Sequence, residues 1–299
     1  WLEACNWRGC RNGVLVSAIE LGMLVWEECD SVHTVNFSWG MWRLLTQPTP
    51  GLTDSVTYEH DPTVEERAKW VDGEVHDDLP AFSEARTFEF PEPIGTVDTY
   101  VISHPEPITF PKAPIAQEKD VTEIITRGAW HDEWKEYQRT LHAANAFTTD
   151  SVAVDENTVD PVAVLQQQIK NEGLATEAEW KPPAELSPTT DWTPQTILSA
   201  DVTGTAHGHT DRATIHFEQP FPFFDGHDIT LMREYGCYVG VPLSVSLQLM
   251  ADGDVTEDGI FITETSGLDA AHYFEQMEAR GFDLVHDTVP TPAQSLQQD

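Results

Sequence analysis

The sequence predicts an α+β fold: a mixed sheet with flanking helices. Three observations predict it. Segments of alternating apolar residues and segments of helically spaced apolar residues follow one another irregularly along the 299 residues. Clusters of Pro, Gly, Asp and Thr punctuate them, and no internal repeat is visible. With 40% hydrophobic and 10% aromatic residues, the chain has the material for a sizeable core.

Val14, Leu15, Ala18, Ile19, Leu21, Val25 and Trp26 recur at helical spacing and predict a helix over 13–27. Val32, Val35, Phe37 and Trp39 alternate with polar neighbours, which predicts a strand over 31–39. Residues 46–63 read as a loop with a short helical turn. Asp72-Gly73 inside Trp70–Val75 predicts a tight hairpin. Strands follow at 87–90 and 97–103, separated by the turn Pro91-Glu92-Pro93-Ile94-Gly95. Helices are predicted over 119–127, 131–144 and 160–172, and the prolines of 173–194 predict a long loop or linker. Ser199–Ala206 and Arg212–Glu218 form a hairpin turning at Gly208–Asp211. A helix starts at Pro242 and stops at Gly253; a last one spans Asp269–Arg280, with Asp269 as its N-cap and Gly281 closing it.

Charge is the most unusual property. There are 51 acidic and 16 basic residues, a formal net charge of −35, spread along the whole length. Phosphate neutralisation needs Lys and Arg, so nucleic-acid binding is disfavoured, and an anionic membrane surface would repel the chain. No charge-free apolar run of about 18 residues marks a transmembrane helix. An acidic, lysine-poor surface repels itself in dilute buffer, and molar salt shortens the screening length to about 3 Å, which predicts a salt-adapted cytoplasmic protein. The four cysteines include no CxxC pair and read as reduced thiols. The chain opens on Trp1 without a signal-like segment and reads as beginning inside a longer protein.

Two segments carry a family resemblance. Phe82-Ser83-Glu84 through Phe90-Pro91-Glu92-Pro93-Ile94-Gly95, continuing into Tyr100-Val101-Ile102-Ser103-His104-Pro105-Glu106-Pro107-Ile108-Thr109-Phe110-Pro111, resembles the saccharopine dehydrogenase-like family, and within it the lysine epsilon-dehydrogenase branch. Gly240-Val241-Pro242-Leu243-Ser244, through Ala251-Asp252-Gly253 to Gly259-Ile260 and Arg280-Gly281, is similar to that family's C-terminal helices. Gly9-Cys10-Arg11-Asn12 stands at the place of a P-G-x-[ST]-N element, with Arg8 in place of Pro and Arg11 in place of Ser or Thr.

The resemblance implies the second, substrate-binding and dimerisation domain of an NAD(P)-dependent oxidoreductase acting on a CH–NH group of a saccharopine- or lysine-type amino acid. No G-x-G-x-x-G fingerprint is present, so NAD or NADP would be bound mainly by an N-terminal Rossmann domain absent from this sequence. Residues 1–235 would form the substrate and dimer domain. Residues 236–299 would form a helical tail that packs on the missing domain, leaving an apolar face between Val239 and Met250 without a partner. Gly240, Val241 and Pro242 would lie against the cofactor.

The implied chemistry needs a proton acceptor near neutral pH and an anchor for a carboxylate. His104 and Glu106, two residues apart, would share one face of an extended strand, with Glu106 fixing the imidazole tautomer; both could equally serve as backbone-satisfying residues at a strand end. Tyr100 and Thr109 lie in the same block and are implied as substrate-binding. Arg127 and Arg233, at expected element ends, are candidate carboxylate anchors, against the plain alternative of surface ion pairs. Two further readings remain: a non-enzymatic binding or dimerisation module of the same fold, and a metal-dependent enzyme using His207, His209, His216 and Asp211. The expected hairpin turn would splay those histidines apart.

Overall fold

The computed structural model describes residues 30–41, 58–59, 67–90, 95–130, 132–172, 196–206, 209–218, 231–255, 257, 259, 261 and 265–290. Strand β1 (Ser31–Met41) is central. Val35 and Phe37 are buried on one face and Asn36 and Ser38 on the other, as a two-residue period demands. Strands β2 (Lys69–Val71) and β3 (Glu74–His76) form the expected hairpin, and both turn residues are left-handed, Asp72 at φ 48° and Gly73 at φ 95°. Strands β4 (Arg86–Glu89) and β5 (Thr96–Val101) pair antiparallel. The chain then passes through the short helix α1 (Glu106–Thr109), a 3-10 turn (Phe110–Lys112) and helix α2 (Pro114–Glu118).

The helix expected over 119–127 is instead strand β6 (Glu123–Trp130), parallel to β1. Ile124, Ile125 and Thr126 are β-branched and suit a strand, and every residue from 124 to 130 is buried. A strand covered on both faces shows no alternation, which is why its apolar run resembles a helix in sequence. Helix α3 (Asp132–Ala143) follows, then a small hairpin of β7 (Val152–Val154) and β8 (Asn157–Val159), and helix α4 (Pro161–Glu172).

Strands β9 (Thr196–Ala206) and β10 (His209–Glu218) pair from Ala206–His209 onward, so the link is residues 207–208 rather than the expected turn at 208–211. Helix α5 (Leu231–Asp252) starts well before Pro242, which lies inside it at the loss of one ladder hydrogen bond. Proline can open a helix, but it is also tolerated where neighbouring turns and packing hold the axis, and here Val245 and Leu249 seat the following turns in the core. The predicted stop is observed: Gly253 has φ 90° and its N–H donates to Met250 O at 3.3 Å. Helix α6 (Ala270–Glu278) is capped by Asp269, which accepts from His272 N at 3.0 Å, and Gly281 adopts φ 86° beyond it. Strand β11 (Asp283–Pro290) completes the order.

The sheet runs β11-β10-β9-β1-β6-β2-β3. The outer edge of β6 is shared: β2 pairs with residues 123–125, and β5 pairs Tyr100 with Gly128 and Val101 with Arg127. One face of the sheet carries Val35, Phe37, Ile124, Leu198, Ala200 and Val202 against Phe110, α5 and α6. Each large apolar side chain buried there contributes about 1.5–3 kcal/mol. Helix α5 runs straight across the expected boundary at 235, and β11 pairs with β10, so residues on both sides of that boundary build one sheet and one core.

Helix α5 buries Val245 and Leu249 and leaves Leu243, Leu247 and Met250 exposed. Among the described residues no helix is long and apolar enough to cross a membrane. The helix expected over 13–27 and the linker at 173–194 lie outside the described residues, as does all of the 46–63 loop except 58–59.

Candidate functional site

Strand β5 ends at Val101, and the backbone turns sharply so that His104 N donates to Ile102 O at 3.0 Å. Pro105 precedes α1, and Glu106 is its first residue. The expected extended strand does not continue to 106, because Pro105 and Pro107 lack ladder donors. The turn nevertheless brings the two side chains together. His104 Nδ1 lies 3.3 Å from Glu106 Oε1, and both residues are buried. The other oxygen, Glu106 Oε2, accepts from the Thr126 hydroxyl at 3.2 Å.

Glu59 is the third member, and no spacing in the sequence pointed to it. Its Oε1 stands 3.9 Å from His104 Nε2, and its Oε2 accepts from Ser103 N at 2.9 Å. Arg67 secures the segment by donating from Nη1 to Glu59 O and from Nε to Leu79 O, each at 3.0 Å. The imidazole therefore sits between two buried carboxylates. Hydrogen bonding to Glu106 favours the Nδ1–H tautomer and leaves Nε2 as the acceptor, while 3.9 Å to Glu59 is too long for a hydrogen bond and leaves that nitrogen available.

An aromatic wall adjoins this cluster on the same face of β6. Trp39 and Trp130 meet edge-on at 5.3 Å, and Phe82 packs against Tyr100 at 5.9 Å, Trp130 at 6.2 Å and His142 at 5.9 Å. Gly128 permits this: a Cβ there would stand 3.0 Å from both Ile102 Cγ2 and Trp39 Cζ2. Phe82 and Glu84 hold left-handed conformations at φ 62° and 53°, a strain fixed from outside, since Ser83 O accepts from Val101 N and Glu84 O from Arg127 Nε. Tyr100 thus lies in this wall with Lys135 above its ring at 5.9 Å. The Thr109 hydroxyl donates to the carbonyl of Pro105, the N-cap of α1, at 3.2 Å.

Arg127 is not at an element end. It lies within β6, next to Thr126, and successive strand residues face opposite sides of a sheet. Thr126 touches Glu106, whereas Arg127 donates from Nη1 to Asn36 Oδ1 and from Nε to Glu84 O at 3.0 Å. The arginine therefore occupies the face opposite the His104 cluster. Burial first, and then the field of Arg86, push its pKa down to about 10. Arg233 is in the first turn of α5, and its side chain lies outside the described residues.

No family model matches the sequence, and no curated protein matches it. The likeness is in the fold. The structure resembles apo histidine-tagged saccharopine dehydrogenase (L-Glu forming) from Saccharomyces cerevisiae, with a TM-score of 0.55, 12% identity, and coverage of 90% of this chain and 71% of that one. At that identity the shared property is the α+β architecture.

Gly240, Val241 and Pro242, the residues expected against the cofactor, are in the middle of α5. They lie within an unbroken helix, where backbone donors are committed to the ladder or, at Pro242, absent. A Cβ on Gly240 would meet no atom within 4 Å, and Val241 packs against the core. Among the described residues no cluster of three His, Cys, Asp or Glu is arranged to hold a metal ion; the side chains of His207, His209, Asp211 and His216 lie outside them.

Proposed function

We propose that this chain is the substrate-binding and dimerisation part of an NAD(P)-dependent oxidoreductase that acts on a CH–NH group of a saccharopine- or lysine-type amino acid. The observation that carries the reading is the buried Glu59–His104–Glu106 array, placed on a fold like that of a saccharopine dehydrogenase. An ammonium centre must lose a proton before its carbon can give up a hydride. His104 Nε2 accepts that proton, and the resulting imidazolium is held between Glu106 at Nδ1 and Glu59 beside Nε2. The hydride acceptor is NAD or NADP, held mainly by a nucleotide-binding domain. The aromatic wall of Trp39, Phe82, Tyr100 and Trp130 excludes water from one side, and two copies of the chain form the working dimer.

The test uses the complete natural protein with NAD or NADP and saccharopine or lysine. The His104→Ala variant should lower kcat by about 10²–10⁴-fold, the usual worth of a positioned acid–base group. An unchanged kcat would refute the assignment of His104. No turnover of any amine by the wild type would favour the non-enzymatic binding module.

A further inference from the structure

A neutral His104 has one ring proton and stands between two buried carboxylates that compete for it. Glu106 Oε1 lies 3.3 Å from Nδ1, and Glu59 Oε1 lies 3.9 Å from Nε2. Each acid is held through its second oxygen: Ser103 N donates to Glu59 Oε2 at 2.9 Å, and the Thr126 hydroxyl donates to Glu106 Oε2 at 3.2 Å. A small shift of the ring would close the longer gap and reward a proton on Nε2. That tautomer has no lone pair at the nitrogen that must accept a proton. The tautomer is therefore set by whichever carboxylate is held more firmly against the ring.

Thr126 is placed to decide that competition. It lies in β6, paired with Phe37 of the central strand, and is buried. Its main-chain oxygen accepts from Ile102 N at 3.2 Å, just before the turn that carries His104 and Glu106. One strand residue thus grips this turn twice, through its backbone ahead of His104 and through its hydroxyl beyond it. A glutamate carboxylate rotates readily about its last torsion, whose wells are broad, so contact with His104 alone would not hold its plane. A second donor at the other oxygen does. Threonine is β-branched, and its restricted rotamers keep that donor in place. We infer that Thr126 is a positioning residue: its hydroxyl locks the Glu106 carboxylate so that Oε1 faces His104 Nδ1, which keeps the ring proton off Nε2. The inference rests on the role proposed for His104 and adds to it a residue that acts through Glu106.

The experiment reads the imidazole tautomer by long-range 1H–15N NMR, without added amine, in the wild type, Thr126→Val and Thr126→Ser. Valine keeps the branched shape without the hydroxyl, and serine keeps the hydroxyl without the methyl. The ratio of Nδ1–H to Nε2–H should fall about tenfold in Thr126→Val, the worth of one hydrogen bond to a charged group. Thr126→Ser should stay within about twofold of the wild type. An unchanged ratio in Thr126→Val, or an equal fall in Thr126→Ser, would overturn the inference, because the hydroxyl would then not act on the ring. If Thr126→Val does not fold, Thr126→Cys takes its place with the same expected fall and the same refutation, since a thiol is a weak donor of similar size. The two readings fail separately. A ratio indifferent to Thr126, in a protein that turns over an amine through His104, removes Thr126 alone. A ratio that follows the hydroxyl, in a protein that turns over no amine, upholds the positioning and removes the dehydrogenase reaction.

Discussion

Replacing Glu106 by Gln tests the centre of the buried array with almost no change of volume. The carboxylate satisfies two donors, His104 Nδ1–H and the Thr126 hydroxyl, one at each oxygen. Gln keeps one acceptor and presents an NH₂ to the other donor, so one hydrogen bond to a charged group is lost. That loss is worth about 1.5–3 kcal/mol. His104→Ala removes the ring and leaves Glu106 buried with Thr126 alone, at about 1.5–3 kcal/mol for the lost hydrogen bond to a charged group. The double variant should destabilise by about 1–3 kcal/mol less than the sum, because the contact can be lost only once. Urea unfolding of the four proteins in molar potassium chloride measures each term. Additivity within about 0.5 kcal/mol would show that the two side chains are not coupled, and the tautomer argument would fail with it.

Gly128→Ala should destabilise by about 1–3 kcal/mol in urea unfolding, because its Cβ would press on Ile102 and the rigid Trp39 ring at 3.0 Å; a neutral result would mean the wall yields. Asp269→Ala should cost about 0.5–2 kcal/mol by removing the cap on His272 N, read as a shift in the urea midpoint. The net charge of −35 predicts that Tm rises from dilute buffer to molar potassium chloride, and a flat or falling Tm would count against salt adaptation. Arg127 sets a pH dependence through its pKa, lowered to about 10. Below about pH 9 both folded and unfolded chains carry the charge and its contribution is constant. Above pH 10 the unfolded chain binds more protons than the folded one, so this contribution to stability rises with pH. The difference in urea midpoint between wild type and Arg127→Gln should therefore be flat from pH 6 to 9 and move in favour of wild type only near pH 10.

Local chemistry made some elements legible in the sequence and left others hidden. Asp72-Gly73 specified a turn because both residues tolerate positive φ, and Asp269 and Gly281 marked the two ends of α6 through cap chemistry that needs no tertiary partner. Strand β6 was misread because its apolar run reflects burial on both faces, a property of the sheet rather than of the segment. Pro242 suggested a helix start, whereas packing of the following turns holds a longer helix around it. The contact between His104 and Glu106 was visible from their spacing, although a turn and not a strand creates it. Glu59 was not visible, since Ser103, His104 and it meet only through the tertiary fold. Arg127 was visible as a scarce cation, but its side of the sheet depends on a strand that sequence periodicity did not show.

The most direct test of the account is the protonation state of His104, read from long-range 1H–15N NMR of the imidazole before and after adding lysine or saccharopine. The account predicts a neutral ring protonated at Nδ1, with the Nε2 resonance moving as the amine binds. A ring protonated at Nε2, or an Nε2 resonance indifferent to either amine, would contradict it.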